Sequence, residues 1–200
     1  MPSAQKPQKP IRSSREAFVE STVRLLRRKG YAASGLNEIV ARSGAPKGSL
    51  YFHFPGGKQE LALVAMEQAG GQLREAIAAV LDSSEDLPGA LAALVDSLAA
   101  GMEASGYRDG CPIATITLET AGESETLRAT AAEVFGSWLE VLEQRLLAAG
   151  LSPADAARRA LFVLAAIEGA LILARAQRDL GPLTAVREEL AGAAQPQLWA

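Results

Sequence analysis

The sequence predicts an all-α protein. Only 5% of its 200 residues are aromatic, and alanine and leucine far outnumber valine and isoleucine, a bias that favours helices over strands. Apolar residues recur at helical spacing through most of the chain, between serine, glycine and proline residues of the kind that begin and end helices. With 48% apolar residues, the chain can bury the core of one or two ordinary domains.

The same composition argues against a membrane or secreted protein. The longest stretch without a charged residue is 11 residues, 190–200, whereas a spanning helix needs roughly 20 apolar residues. The first residues lack the apolar stretch of a secretory signal, and the single cysteine, Cys111, cannot form an internal disulfide. We therefore expect a cytoplasmic location and no membrane partner.

Charge is distributed unevenly along the chain. Residues 1–60 carry eleven bases and four acids, a formal charge of +7, while residues 61–200 carry −10. A basic module on an acidic body is typical of nucleic-acid binding. Residues 1–10 hold three prolines and no large apolar residue after Met1. They are predicted to be a disordered basic arm, either inert or in contact with DNA phosphates.

Three helices are predicted in the basic module. The first begins at Ser13 or the next serine and ends at Gly30, after three consecutive bases. Ser34 is the predicted cap of a second, short helix, which Gly44 ends, and Pro46 lies in the first turn of a third. Two short helices joined by a turn that contains glycine describe a helix-turn-helix.

The pattern across residues 13–63 resembles the DNA-binding domain of TetR-family transcriptional repressors. The matching residues are Gly30-Tyr31, Ile39, Gly44, Lys47-Gly48-Ser49-Leu50-Tyr51, Phe54 and Lys58. The sequence PGGK, which ends the motif, and the later GCPIATITLET resemble the LmrA/YxaF-like branch. The resemblance implies a three-helix helix-turn-helix DNA-binding domain at residues 11–57, followed by a helical ligand-binding and dimerisation domain at residues 58–200.

In such a fold the second helix of the motif enters the major groove of DNA. Lys47 and Ser49 can then bond base edges, Gly48 allows close approach, and Phe52 can contact a thymine methyl. By resemblance, Tyr51 and Lys58 bind backbone phosphates. The full predicted set is Ser34, Pro46, Lys47, Gly48, Ser49, Tyr51, Phe52, His53 and Lys58. His53 is expected to support this surface and not to bind metal, because a metal site needs several ligands.

The segment 160–174 predicts how the chain associates. Its helix is apolar on nearly every side, so it must be buried on nearly every side, and a single chain of this size offers only one core face. With the last helix it resembles the dimer interface of the family; a purely internal helix is the alternative. The predicted interface residues are Leu164, Glu168, Gly169, Ile172, Leu183, Val186 and Leu190.

The resemblance also implies a small-molecule pocket inside the helical body. Its candidate lining is Met66, Met102, Tyr107, Cys111, Ile113, Thr117, Glu119, Phe135, Trp138 and Phe162, each of which could equally be ordinary core. Glu119 and Glu168 lie among apolar neighbours, and a buried carboxylate must be paired, bonded or protonated. Each is expected to meet a cationic ligand or an arginine such as Arg128 or Arg175.

The combined prediction is a ligand-responsive transcriptional regulator. It would bind a palindromic operator as a homodimer, act as a repressor, and be released by a small-molecule effector, with no cofactor. An activator of the same fold is an alternative, as are a helical enzyme and a protein-binding adaptor. One histidine, one cysteine and no clustered metal ligands argue against an enzyme. The segment 113–118 fits a strand by periodicity, but its helical setting favours a short helix.

Overall fold

The structure, a computed structural model, describes residues 13–192. Within that range every regular element is helical, which confirms the all-α prediction and makes the segment 113–118 part of a helix. The elements are α1 (Ser14–Lys29), α2 (Leu36–Ser43), a 3₁₀ turn (Lys47–Ser49), α3 (Leu50–His53), α4 (Gly57–Asp82), α5 (Leu87–Ala104), α6 (Pro112–Thr120), α7 (Glu125–Ala148), α8 (Pro153–Gln177) and α9 (Gly181–Gly192). The predicted basic arm at residues 1–10 lies outside the described residues.

Local signals fix most of the helix ends. Ser13 caps α1 through a capping box: its hydroxyl accepts from the Glu16 amide at 3.2 Å, and the Glu16 carboxylate accepts from the Ser13 amide at 3.1 Å. Gly30 ends the helix with a φ of +78°, a backbone conformation that favours glycine. Ser152 caps α8, with Pro153 as the first helical residue.

One predicted cap is wrong. The N-cap of α2 is Gly35, which has no side chain to bond the helix amides. Ser34 is buried, and its hydroxyl donates to the Gly30 carbonyl at 2.5 Å. The serine therefore closes the loop between α1 and α2 from inside. Pro46 likewise precedes the 3₁₀ turn and does not lie within a helix.

One continuous core joins the basic module to the helical body. Phe18 of α1 meets Phe54 edge to face at 6.4 Å, and both are fully buried with Leu61 of α4. Further along, α4 approaches α7 so closely that a Cβ on Gly70 would lie 2.5 Å from Val134. The Trp138 indole N–H donates to the Gly70 carbonyl at 2.9 Å. The long helix α4 therefore carries the basic module at one end and packs into the body at the other.

Two helices, α5 and α8, are long and apolar enough to span a membrane by length and composition. Helix α5 packs against α4 and α9, and α8 packs against α7 and α9. The core helix of a helical bundle meets the same length and composition criteria, so these two helices are weak evidence for a membrane protein.

Candidate DNA interface and ligand cavity

The helix-turn-helix is built from α2, the glycine turn and a second motif helix, which we define as residues 47–53 (the 3₁₀ turn and α3). Gly44 ends α2 with a φ of +69°, the left-handed conformation that lets the chain reverse. Leu50 is buried and points back into the core, as its position in the motif predicts. The Ser21 hydroxyl donates to the Ile39 carbonyl at 3.1 Å and ties α1 to α2.

The outer face of the second motif helix carries large side chains exposed to solvent. Tyr51 is 62% exposed and Phe52 is 81% exposed, and Lys47 is exposed beside them. Contiguous exposed apolar patches mark interaction sites, whereas single exposed apolar residues are ordinary. The Ser49 hydroxyl donates to the Pro46 carbonyl at 2.7 Å, so its remaining capacity toward another molecule is to accept hydrogen bonds.

His53 packs between the neighbouring aromatic side chains. Its ring meets Phe52 at 5.1 Å and Phe54 at 6.4 Å, both edge to face. It therefore lies between the exposed Phe52 and the buried Phe54, and its support of a DNA-facing surface stays a prediction. Across residues 13–192 no group of three or more His, Cys, Asp or Glu side chains could hold a metal ion.

The peptide of Ala32, in the loop before α2, is held from both sides. The Lys58 ammonium donates to the Ala32 carbonyl at 3.2 Å and lies 4.4 Å from the Tyr31 ring centre. The Glu119 carboxylate accepts from the Ala32 amide at 2.8 Å. Burial lowers the pKa of Lys58, and the nearby Glu119 charge opposes that shift. We call this arrangement the Ala32 clamp.

Glu119 holds this clamp from the end of α6, where its side chain is exposed. It also lines a cavity of about 500 Å³, so its assignment to a ligand pocket stays a prediction. Two further contacts tie the body to the end of α1. The Gly110 amide donates to the Arg27 carbonyl at 3.2 Å, and the Arg175 guanidinium donates to the Arg28 carbonyl at 3.2 Å.

A cavity of about 210 Å³ lies between α4, α5, α7, α8 and the loop before α6. We call it the interior cavity. Three predicted pocket residues line it, Met102, Cys111 and Trp138. Its wall also contains Glu168, which the sequence analysis expects to meet a cationic ligand or an arginine. The remaining lining residues were not singled out for a pocket: Arg27, Leu73, Ile77, Leu94, Ser97, Leu98, Gly101, Asp109, Gly110, Pro112, Leu142, Leu164, Ile167 and Leu171.

The other predicted pocket residues lie elsewhere. Met66 and Ile113 are fully buried core. Phe135 supports the cavity from behind, edge to face with Trp138 at 5.3 Å, while the Thr117 hydroxyl donates to a carbonyl of its own helix. Tyr107 is partly buried against the core, with a φ of +60° in the turn after α5. Phe162 borders a separate cavity of about 660 Å³ near the start of α5 and the end of α7.

Glu168 faces the interior cavity, together with Leu164 from the previous turn of α8. Both side chains are only partly buried within the protomer, and their assignment to the dimer interface stays a prediction. Neither predicted arginine pairs with Glu168: Arg128 pairs with Glu125, and Arg175 bonds Arg28. Both Glu168 and Cys111 also line a neighbouring cavity of about 500 Å³.

Burial raises the pKa of the Glu168 carboxyl, and the Cys111 thiol partly opposes the shift by donating toward it. Burial also raises the pKa of Cys111, reinforced by the Glu168 charge, which keeps the thiol protonated. Because the folded protein holds the Glu168 proton more tightly than the unfolded chain does, this residue costs stability as pH rises from the unfolded to the folded pKa.

We expect the Glu168→Gln variant to become more stable, relative to the unsubstituted protein, as pH rises. The neutral amide carries no charge to bury, so the difference in melting temperature should grow above the unfolded carboxyl pKa of about 4.3. It should level off above the folded pKa. Thermal melts from pH 4.5 to 8 measure it, with the exposed Glu123→Gln as control. A difference that does not change with pH would contradict the argument.

The outer side of α8 presents an apolar stripe to solvent. Its large members are each about half exposed or more, and Ala165 lies between them. We define the outer stripe as Leu161, Phe162, Ala165, Ile172 and Leu173. Gly169 and Ile172, both predicted interface residues, lie on or beside this stripe.

Helix α9 adds fewer exposed apolar side chains to the outer side of α8 than the sequence predicts. Leu183 and Leu190 are buried against the protomer's own core, and Val186 packs partly on it. The apolar face of α9 is satisfied by α5 and α8. Leu183 and Leu190 are therefore internal to the protomer, whereas the assignment of the partly exposed Val186 to the interface stays a prediction.

A helix-turn-helix with an exposed second helix, mounted on a helical body with a cavity, defines a helix-turn-helix transcriptional regulator. Residues 18–65 match the family described as bacterial regulatory proteins, tetR family. Residues 88–189 match the C-terminal domain of LmrA/YxaF-like transcriptional regulators. The chain belongs to the TetR family of regulators, in its LmrA/YxaF-like branch.

Known regulators are similar to this chain over nearly its whole length. The HTH-type transcriptional regulator Rv0196 of Mycobacterium tuberculosis is 36% identical, covering 90% of this chain and 93% of the relative. LmrA of Bacillus subtilis is 35% identical, covering 85% and 90%. A regulatory protein TetR from Rhodobacter sphaeroides shares the fold, with a TM-score of 0.81 at 23% identity, covering 90% and 97%.

Proposed function

We propose that this protein is a cytoplasmic, effector-responsive repressor that binds a palindromic operator as a homodimer. Residues 11–57 would bind DNA, and residues 58–200 would bind the effector and the second subunit. The observation that carries the proposal is the exposed Lys47, Tyr51 and Phe52 cluster on the second motif helix. Regulators of the TetR family bind DNA and act as dimers.

The second motif helix fits the major groove as the reading element. Lys47 would donate to guanine, Phe52 would contact a thymine methyl, and the Ser49 hydroxyl would accept from a base amino group. Tyr51 and Lys58 would bind phosphates on either side. Ser34 has no part in this proposal, because its side chain is buried and bonded to Gly30.

The outer stripe of α8 supports the homodimer. In the most apolar 18-residue stretch of this helix, only 28% is buried within the protomer. A symmetric partner can cover the same stripe with its own copy. Two reading helices about 34–36 Å apart then meet successive major-groove faces of one side of the duplex.

Helix α6 supports communication between the cavity and the DNA-binding module. Cys111, at its N-terminal end, lines the interior cavity, and Glu119, near its C-terminal end, holds the Ala32 clamp. A ligand that shifts this nine-residue helix would move both ends together. The ligand would favour release from DNA only to the extent that it binds the DNA-free conformation more tightly than the DNA-bound conformation.

Repression is supported by a relative described as the transcriptional repressor DhaR, which is 25% identical over 174 residues. A reporter driven by the operator promoter tests the sign. Repression predicts lower transcription with the protein than without it, and restored transcription with effector. Higher transcription with the protein would replace the repressor with an activator of the same fold.

We expect Lys58→Ala to weaken binding to every duplex and to lower the slope of log affinity against log salt by about one unit. The reason is that a phosphate contact releases about one counterion regardless of sequence. Fluorescence anisotropy across a salt series measures it. Arg74→Ala, which removes the same charge from an exposed position further along α4, is the matched control. Equal slopes in the two variants would contradict the phosphate assignment.

We expect Glu119→Ala to expose the Ala32 amide and to weaken operator binding several-fold. A hydrogen bond to a charged group is worth about 1.5–3 kcal/mol, reduced here because the carboxylate is exposed. Hydrogen exchange should quicken at Ala32, while Glu123→Ala, at an exposed site just after α6, should leave it unchanged. Unaltered exchange at Ala32 would show that the clamp does not hold in solution.

A further inference from the structure

Glu168, which lines the interior cavity, has one carboxylate oxygen that is buried and unsatisfied. Glu168 Oε2 is closed to solvent and has no hydrogen-bond partner among the described residues. Buried polar groups in folded proteins are nearly always bonded, and those that are not call for an explanation such as strain, a functional role, or a bound water or ion. A donor that reaches this oxygen inside the cavity would supply the missing bond.

The charges around the cavity favour a cationic donor. Its wall holds two acids, Glu168 and Asp109, against one base, Arg27. No base within residues 13–192 forms an ion pair with Glu168 at 4 Å or less. Arg175, which lines the neighbouring cavity of about 500 Å³ together with Glu168, donates one guanidinium N–H to the Arg28 carbonyl and forms no ion pair with Glu168. The carboxylate is therefore open to a cation from outside the chain.

The remaining wall and the volume limit the rest of the ligand. Leu98, Met102 and Trp138 give the cavity an apolar lining with one aromatic ring, a surface that suits an apolar body and tolerates a nearby cation. The volume of about 210 Å³ exceeds that of an apolar cavity of about 150 Å³ known to hold benzene. One ring with a short chain is the size that fits.

We propose that the effector is a small apolar amine whose ammonium group donates to Glu168 while its apolar body fills the interior cavity. The amine extends the proposed function by naming the chemical class of the effector. Its role as an effector rests on that proposed function. An ammonium at Glu168 competes with the Cys111 thiol for the carboxylate. The Cys111 sulfur also caps α6 by accepting from the Ala114 amide at 3.4 Å, so the competition acts on the helix that reaches the Ala32 clamp.

Three probes of one size and different charge test the proposal on the full chain by isothermal titration. They are 2-phenylethylamine (cationic), 2-phenylethanol (neutral) and phenylacetate (anionic). We expect the amine to bind at least tenfold more tightly than the alcohol, with phenylacetate weakest. Glu168→Gln should lower the affinity for the amine at least tenfold, to that of the alcohol, and the exposed Glu123→Gln should leave it unchanged.

The proposal is overturned if the alcohol or phenylacetate binds as tightly as the amine, or if none of the three binds. It is also overturned if Glu168→Gln keeps the affinity for the amine. The comparison of the three probes on the unsubstituted protein does not depend on how the variant folds. A thermal melt of the variant checks that it is folded.

Operator binding, measured without any probe, separates this inference from the proposed function. If the protein binds a duplex and the amine does not bind, the inference fails and the proposed function stands. If the amine binds through Glu168 and no duplex is bound, the proposed function fails. Saturating amine should lower operator affinity at least tenfold in the unsubstituted protein and not in Glu168→Gln; binding without release would overturn the effector role.

Discussion

Ala165→Glu is expected to convert the protein to a monomer and to lower its operator affinity on the order of 100-fold, because a single module makes too few contacts for tight specific binding. Ala165 lies in the middle of the outer stripe and is exposed in the protomer. In a symmetric dimer the new carboxylate would be buried opposite its own copy. Burying an unpaired charge costs several kcal/mol, and two like charges add to that cost.

Ala132→Glu is the matched control for this prediction. It makes the same change at an exposed position on α7, away from the outer stripe, and alters the net charge equally. Sedimentation at working concentration and anisotropy with one duplex measure both variants. A dimeric Ala165→Glu protein, or equal loss of DNA binding in both variants, would rule out the outer stripe as the interface.

Trp138→Ala is expected to lower the free energy of unfolding by about 3–5 kcal/mol, the range for removing a large aromatic residue from a core. The indole is 1% exposed, packs edge to face on Phe135, and donates to the Gly70 carbonyl. Its removal would delete that hydrogen bond and enlarge the interior cavity.

Trp138→Phe separates the two contributions to that loss. The phenyl ring keeps much of the apolar volume and loses the N–H donor, so we expect a smaller loss of about 1–3 kcal/mol. Urea unfolding at one fixed protein concentration measures both variants, since the stability of a dimer depends on concentration. Equal losses in the two variants would mean that packing at Trp138 contributes little.

The helix-turn-helix could be predicted from sequence because its determinants are local. Ser13, Gly30 and Gly44 act on their own turns, and the capping box or left-handed backbone at each follows from residue type. Ser34 was harder to predict. A buried hydroxyl bonded to Gly30 and a helix cap both suit a serine in that position, and only the path of the loop decides between them.

The placements that the sequence leaves open in the helical body share one physical cause. Helix α8 is apolar on nearly every side, so periodicity alone cannot tell which side faces the cavity and which faces outward. That Glu168 and Leu164 line the interior cavity consequently does not follow from the pattern, and Leu183 turns out to be internal. Glu119 has apolar neighbours in sequence, but its partner, the Ala32 amide, is 87 residues away, a separation beyond the reach of local pattern.

Selection of bound sites from random duplex DNA at low ionic strength tests the central claim most directly. A protein that presents two copies of the second motif helix should enrich an inverted repeat whose half-site centres are about one helical turn, or a multiple of it, apart. Enrichment of a single asymmetric site, or of no sequence at all, would contradict the account.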